Sequence, residues 1–172
     1  MIVEDGTGKV DANSFITIAW ADAYFVDRGI TAWAALTDTA KEIALIKATD
    51  YIENRWGNRF LGRQEFPATP QALSFPRINV LYPSGIFVTG IPEFLKKATA
   101  EYAVRTISAE LLPDPTSNAS GFAISRFEEK IGPIEERTFY QTTGAAPVIL
   151  RPYPAADRLL AFYVSAAGRN YR

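Results

Sequence analysis

The 172-residue chain contains no cysteine and no histidine. Without cysteine it can form no disulfide, thiolate metal site, iron–sulfur cluster or cysteine nucleophile. Without histidine it can form no Ser-His-Asp triad, and it lacks the most common general base and transition-metal ligand. The chemistry that remains is that of carboxylates, lysine and tyrosine, or none at all.

Long apolar runs and a strong net charge are also missing. No stretch approaches the roughly 18 apolar residues that span a bilayer, so no membrane partner is expected. The first residues have neither the basic nor the apolar segment of a secretion signal. Eighteen basic and nineteen acidic residues leave a net charge of −1, which excludes a broadly basic nucleic-acid-binding protein.

Two adjacent pairs of acidic residues stand out, Glu128–Glu129 and Glu135–Glu136. Neighbouring residues of a strand point to opposite faces, so neither pair makes an acid–base dyad, and solvated hairpin edges are the simpler interpretation. The chain has no Asp-x-Asp-x-Asp-Gly calcium loop, no Gly-Lys-Ser/Thr phosphate loop and no Gly-x-Ser-x-Gly elbow. We therefore predict no catalytic residue, no metal site, no cofactor and no enzymatic activity.

Helical periodicity dominates the first two thirds of the chain. Candidate N-caps and a proline in the first turn of a helix set the predicted helix starts. The strongest predicted helix is apolar on two sides, as is typical of a helix packed between other helices or subunits. The predicted helices are 18–27 after Thr17, 38–56 after Thr37 or Asp38, a short one after Thr69-Pro70, and one from Ile91-Pro92-Glu93 to about Leu111.

The composition changes after Leu112. Residues 113–121 are rich in proline, serine and asparagine, which is typical of a linker. Alternating residues on either side of Gly132-Pro133 predict a two-stranded hairpin within residues 122–140. A lone hairpin is only marginally stable in water, so it needs a partner surface in this chain or another. The remainder is extended and ends in a short helix or strand that is too apolar to stay exposed.

These patterns together predict a mainly α fold, a small bundle of about four helices with a C-terminal β-hairpin and an extended docking tail. The predicted domains are a helical core (1–112), a linker (113–121) and the hairpin with its tail (122–172).

Basic and aromatic residues are interleaved around the end of the second long helix. Such a pattern can follow phosphates and stack on bases. The alternative is that the aromatic rings are buried while the arginines extend to solvent or cap carbonyl groups. The candidate nucleic-acid-binding residues are Arg55, Trp56, Arg59, Arg63 and Arg77, with Phe60, Phe66 and Phe75 between them.

An ordered series of short motifs resembles a family of tailed-phage and prophage proteins. Its members are often named DnaT-like single-stranded-DNA-binding proteins and look like head–tail connectors, or adaptors. The similarity covers roughly residues 1–112 and departs slightly at Phe75, where we associate the family with tryptophan. The motifs are Asp5-Gly-Thr-Gly, Ala12-Asn-Ser-Phe-Ile-Thr, Ala21-Asp-Ala-Tyr-Phe, Thr31-Ala-Trp-Ala-Ala-Leu-Thr, Ala44-Leu-Ile-Lys-Ala-Thr-Asp-Tyr-Ile, Gln71-Ala-Leu-Ser-Phe-Pro-Arg and Ile91-Pro-Glu-Phe-Leu-Lys-Lys-Ala-Thr-Ala-Glu, with Lys130-Ile-Gly-Pro-Ile and Tyr153-Pro-Ala-Ala-Asp in the tail.

The resemblance implies a structural role in the neck of a virion that assembles in the host cytoplasm. Copies of the chain would form a twelvefold ring beneath the portal protein. The ring would extend the channel for double-stranded DNA, without sequence-specific binding, and would receive the next neck or tail protein. The portal-docking residues would be Tyr153, Leu159, Leu160, Phe162 and Tyr163, and the hairpin residues Lys130, Gly132, Pro133 and Arg137 would face the lumen or the next ring. The alternative is a replication accessory that binds single-stranded DNA through the arginine cluster.

Overall fold

Helices form most of the regular structure in the part of the chain that the computed structural model describes, residues 1–66, 70–113, 124–130, 135–140 and 151–165. This confirms the predicted mainly α fold. No helix in these ranges is both long and apolar enough to cross a membrane. The elements are α1 (Ile18–Val26), α2 (Thr31–Ala34), α3 (Asp38–Trp56), β1 (Arg63–Gln64), β2 (Arg77–Ile78), α4 (Glu93–Arg105), β3 (Ile124–Lys130), β4 (Glu135–Tyr140) and α5 (Pro154–Leu160), with 3₁₀ turns at Gly57–Arg59 and Ala161–Tyr163.

Side-chain caps fix the starts of α1 and α3. The Thr17 hydroxyl accepts the Trp20 N–H at 3.1 Å, and the Thr37 hydroxyl accepts the Ala40 N–H at 3.3 Å. Each bond satisfies one of the N–H groups that a first helical turn leaves without an intrahelical partner. The two predicted N-caps are confirmed, with Thr37 rather than Asp38 as the cap of α3.

The short helix predicted after Pro70 is wrong, because residues 70–76 contain no helix. Their backbone groups bond to side chains instead. The Gln71 amide donates to the carbonyls of Leu73 (2.7 Å) and Pro76 (3.1 Å), and the Ser74 N–H donates to the Glu53 carboxylate (3.1 Å). Side chains, one within the segment and one from α3, thus take bonds that helical turns would have made.

Helix α4 ends earlier than predicted, at Arg105 instead of about Leu111. The Thr106 N–H and hydroxyl both reach back to the Ala103 carbonyl, at 3.1 and 2.7 Å. This contact three residues back tightens the backbone into a turn. The buried residues of α4 lie around much of its circumference, and it packs against both α3 and α5, as a helix with two apolar sides should.

The helical core is formed by α3, α4 and α5 with the N-terminal segment. Aromatic rings carry much of its packing: Tyr51 lies 4.9 Å from Tyr102, and Phe94 stacks on Tyr163 with centroids 3.5 Å apart. Small residues let the helices approach closely, since Ala48 and Ala98 are fully buried. The residues with the largest fully buried side chains include Trp33, Tyr102, Phe15, Phe25, Phe75, Leu45, Ile52, Leu95 and Leu160.

The chain divides into two compact units. One contains Met1–Leu111 and the residues from Pro152 onwards, and the other is Leu112–Arg151. The segment beginning at Pro152, predicted to form one domain with the hairpin, clusters with the helical unit. Its junction is marked by the Tyr153 hydroxyl, which donates to the Leu111 carbonyl at 3.3 Å.

The second unit contains the predicted hairpin. Strands β3 and β4 pair antiparallel, with Lys130 opposite Glu135 and a register irregularity between Ile124 and Arg126. Within the described ranges the two strands pair only with each other.

A buried carboxylate organises the N-terminal loop. Glu4 accepts backbone N–H groups of Gly6 (2.9 Å), Gly8 (3.0 Å) and Lys9 (2.8 Å). Three such bonds compensate the removal of a negative charge from water.

Candidate nucleic-acid interface and docking segment

Arg55 is held by an ion pair inside the helical unit. Its guanidinium lies 2.9 Å from the Asp157 carboxylate of α5, with side-chain exposures of 12% and 17%. It also donates to the Tyr51 hydroxyl at 2.5 Å. A guanidinium in these contacts is oriented by α5 rather than presented to a phosphate in solvent.

Trp56 is buried and covered by two guanidinium groups. Its indole N–H donates to the Tyr102 hydroxyl at 3.0 Å. The Arg55 and Arg59 guanidinium carbons lie 4.7 and 5.0 Å from the indole ring centroid, within cation–π range. Arg59 also donates to the Ser165 carbonyl at 3.2 and 3.3 Å. In this arrangement the indole face is not available to a nucleic-acid base.

Arg77 acts as a clamp on the backbone. Its guanidinium donates to the carbonyls of Phe60 (3.1 Å), Leu61 (2.8 Å), Gly62 (2.8 Å) and Ser74 (3.2 Å). Burial lowers the pKa of this group. These four bonds join the segment after α3 to the segment before α4, which is the carbonyl-capping role weighed as the alternative.

Arg63 is the exposed member of the predicted set. It lies in β1, opposite Ile78 of β2. The structure therefore places the Arg55 and Arg59 guanidinium groups over the buried Trp56 ring, whereas Arg77 bonds to backbone carbonyls. A nucleic-acid-binding role for the set stays a prediction.

The predicted portal-docking residues are mostly inside the helical unit. Tyr153, Leu160 and Tyr163 are buried, Leu159 is partly buried, and Phe162 is 58% exposed. The backbone holds this segment as well, because the Leu61 N–H donates to the Tyr163 carbonyl and the Ser165 N–H to the Arg59 carbonyl. Portal docking stays a prediction, and among these five side chains Phe162 presents the largest exposed apolar surface.

The predicted hairpin residues are described only in part. Lys130 is the last residue of β3, and Arg137 is exposed in β4. Gly132 and Pro133 lie outside the described residues. The orientation of the hairpin toward a lumen or a next ring stays a prediction.

Asp157 ends the Tyr153-Pro-Ala-Ala-Asp motif, but its central structural role was not predicted. Besides Arg55, its carboxylate accepts the Tyr102 hydroxyl at 2.5 Å and the Tyr153 N–H at 3.0 Å. It joins α3, α4 and α5 at one point. Arg55 and Asp157 are 102 positions apart, so no local pattern connects them.

A second unpredicted feature is a small hairpin at residues 80–88. The Val88 N–H donates to the Val80 carbonyl at 2.8 Å, Leu81 and Phe87 form an antiparallel bridge, and Tyr82-Pro-Ser-Gly85 closes the turn. Two short apolar stretches around Pro-Ser-Gly were the available signal for it.

The comparison with protein families matches the whole chain. A family model described as "Putative DnaT-like ssDNA binding protein" covers residues 1–172. The chain belongs to this family. The resemblance stated from the motifs is thus confirmed at the level of the DnaT-like family, while its likeness to head–tail connectors stays a proposal. No curated protein and no solved structure matches the chain.

Within the described residues of this DnaT-like family member, no group of three or more acidic residues is placed to hold a metal ion. The carboxylates reported above have structural partners instead. Burial raises the pKa of Glu53, which accepts the Ser74 hydroxyl at 2.7 Å. Tyr24 donates to Glu101 at 2.9 Å, and burial together with this carboxylate raises its pKa to about 12.

Proposed function

We propose that this protein is a non-enzymatic structural component of a tailed-phage neck. The observation that carries the proposal is the hairpin unit. Within the described ranges, β3 and β4 pair only with each other and belong to a unit distinct from the helical core. Because a lone two-stranded hairpin is marginally stable in water, it is suited to gain its stability in an assembly.

The contacts of the arginine cluster support an assembly role over nucleic-acid binding. Arg55, Arg59 and Arg77 are engaged by a carboxylate or by backbone carbonyls, and Trp56 is buried. A DNA channel must let the duplex slide, so tight phosphate binding would work against it. The net charge of −1 agrees with that requirement.

The proposed partners follow from the resemblance. Copies of the chain would form a twelvefold ring in the virion neck, assembled in the host cytoplasm. The portal protein would contact the C-terminal segment, where Phe162 is exposed, and the next neck or tail protein would bind the opposite side. Double-stranded DNA would pass without sequence-specific contacts.

Imaging of purified virions that encode this chain tests the proposal. We expect the chain to be found in virions by mass spectrometry and as a ring of density between portal and tail. Absence from virions, with the chain present in infected cells, would contradict the neck role.

A second candidate is a replication accessory that binds single-stranded DNA. The description of the family favours it. Arg63 is the exposed arginine in the predicted set, and Arg158 of α5 provides a matched exposed control. If this candidate is correct, Arg63→Ala should weaken binding to a labelled oligothymidylate in fluorescence anisotropy, and Arg158→Ala should not.

Salt dependence is the further criterion for the second candidate. Binding through phosphates should weaken steeply between about 50 and 200 mM salt. Binding that is absent at low salt would exclude this function for the full chain.

A further inference from the structure

The 80–88 hairpin presents an apolar tip to solvent. Ile86 and Phe87 are 66% and 62% exposed, although Val80 and Val88 beside them are buried. The tip is held rigidly, because Tyr82 packs its ring against Phe94 and Tyr163. No charged residue occurs between Arg77 and Glu93. A fixed, uncharged apolar projection of this kind marks an interaction surface.

An open apolar pocket lies between α1 and α2. Its volume is about 430 Å³, and its lining includes Phe25, Ile30 and Trp33. Val26 beside it is 75% exposed. An apolar cavity of ~150 Å³ already accepts a benzene ring, so this pocket has room for a phenylalanine ring and an isoleucine side chain.

The charges in the pocket lining neutralise each other. Lys41 Nζ lies 2.9 Å from Asp22 Oδ1, and the same carboxylate oxygen accepts the Trp33 indole N–H at 2.7 Å. A pocket with this lining favours an uncharged apolar occupant, and the 80–88 tip has that character.

The tip does not enter the pocket of its own copy, since no residue of the 80–88 hairpin lines that pocket. Tyr82 contacts Phe94, in the first turn of α4. Tyr24, one residue before the pocket residue Phe25, bonds to Glu101 toward the other end of α4. Phe94 and Glu101 are seven positions apart, so these two contacts are separated by about 10 Å along α4.

We propose that the 80–88 tip of one copy inserts Ile86 and Phe87 into the α1–α2 pocket of the next copy. This inference rests on the proposed ring, for which it supplies the subunit contact. Two different surfaces of the same chain would then meet head to tail, and such a contact closes into a ring when its rotation permits.

The absence of cysteine makes the contact directly testable. The variant Val26→Cys/Phe87→Cys places one thiol at the pocket and one at the tip. We expect oxidation, or a short bis-maleimide, to link virion-assembled copies into a ladder of multimers. The matched control is Ile43→Cys/Phe87→Cys, because Ile43 is exposed on α3 but lies about 200° around the helix from Lys41. This control should give no ladder.

A second measurement requires no cross-link. Phe87→Asp should lower incorporation into virions at least tenfold, whereas Ile43→Asp should leave it unchanged. Both side chains are exposed, so both variants are expected to fold, which thermal melting of the full chain checks.

The results of these two experiments distinguish a failure of the tip–pocket contact from a failure of the proposed neck role. Virion rings that contain the chain but give no 26–87 ladder, with Phe87→Asp incorporated normally, overturn the contact and leave the neck role standing. A ladder of the purified full chain, with the chain absent from virions, supports the contact and removes the neck role. A cross-link from Phe87→Cys to the portal or to another protein identifies a different occupant and overturns the self-contact. Absence of both ring and ladder overturns both proposals.

Discussion

Removal of the Asp157 carboxylate should be among the most damaging single changes to the helical unit. Asp157→Ala removes the carboxylate that pairs with the Arg55 guanidinium, which is 12% exposed, and that accepts the Tyr102 hydroxyl and the Tyr153 N–H. Removing one partner of a largely buried ion pair costs about 3 kcal/mol or more. We expect the free energy of unfolding to fall by that amount, equivalent to a melting-temperature loss of roughly 6–12 °C.

Urea denaturation followed by tryptophan fluorescence is a suitable assay, since Trp56 bonds to Tyr102 within the same network. The double variant Arg55→Met/Asp157→Ala should lose less stability than the sum of the single variants, because the two side chains contact each other directly. Arg158→Ala, next in sequence and exposed, is the control and should change stability by less than about 0.5 kcal/mol. The reasoning is refuted if Asp157→Ala unfolds at the wild-type urea concentration with an unchanged slope.

Three further changes test separate parts of the structure by the same denaturation assay. Gly62→Ala should lower the free energy of unfolding by about 3 kcal/mol or more, because at φ +72° the new Cβ would lie 2.2 Å from the Ile78 carbonyl oxygen. The control Gly85→Ala, at φ +82° with nothing within 4 Å of the new Cβ, should lower it by only about 1 kcal/mol. Equal losses of stability in the two variants would contradict this reasoning. Thr37→Ala should cost about 1 kcal/mol through loss of the α3 cap, and an unchanged stability would show that the cap contributes nothing. Burial raises the pKa of Glu53, so the contribution of this group to stability falls as pH rises above the ordinary pKa of 4.5. Glu53→Gln should therefore compare more favourably with wild type at about pH 7 than at about pH 4, and the opposite trend would contradict the shift.

The elements that the sequence predicted well are those whose signals are local. Thr17 and Thr37 cap helices a few residues away, and the alternating residues on either side of Gly132-Pro133 pair with each other as β3 and β4. The short α2 helix was not predicted, because its four residues are too few to show periodicity.

The features that could not be predicted depend on distant partners. The Glu53 carboxylate bonds to the Ser74 N–H in the segment that was predicted to be helical after Pro70, and Glu53 lies 21 positions before Ser74 in α3. The sequence showed the basic–aromatic pattern but not the partners of its arginines. Arg55 pairs with Asp157 and Arg59 donates to the Ser165 carbonyl, and both partners lie more than 100 positions away in the sequence.

The bond between the Tyr153 hydroxyl and the Leu111 carbonyl has an evolutionary consequence. The chain leaves the helical unit after Leu111 and re-enters it at Pro152, and these two points are close together. The hairpin unit is therefore an insertion into the helical unit. Closing a flexible loop costs only about 0.6 kcal/mol more for each doubling of its length. Relatives can therefore lengthen, shorten or exchange the inserted segment while the helices stay unchanged. We expect the inserted segment to diverge faster in sequence and length than the helical unit.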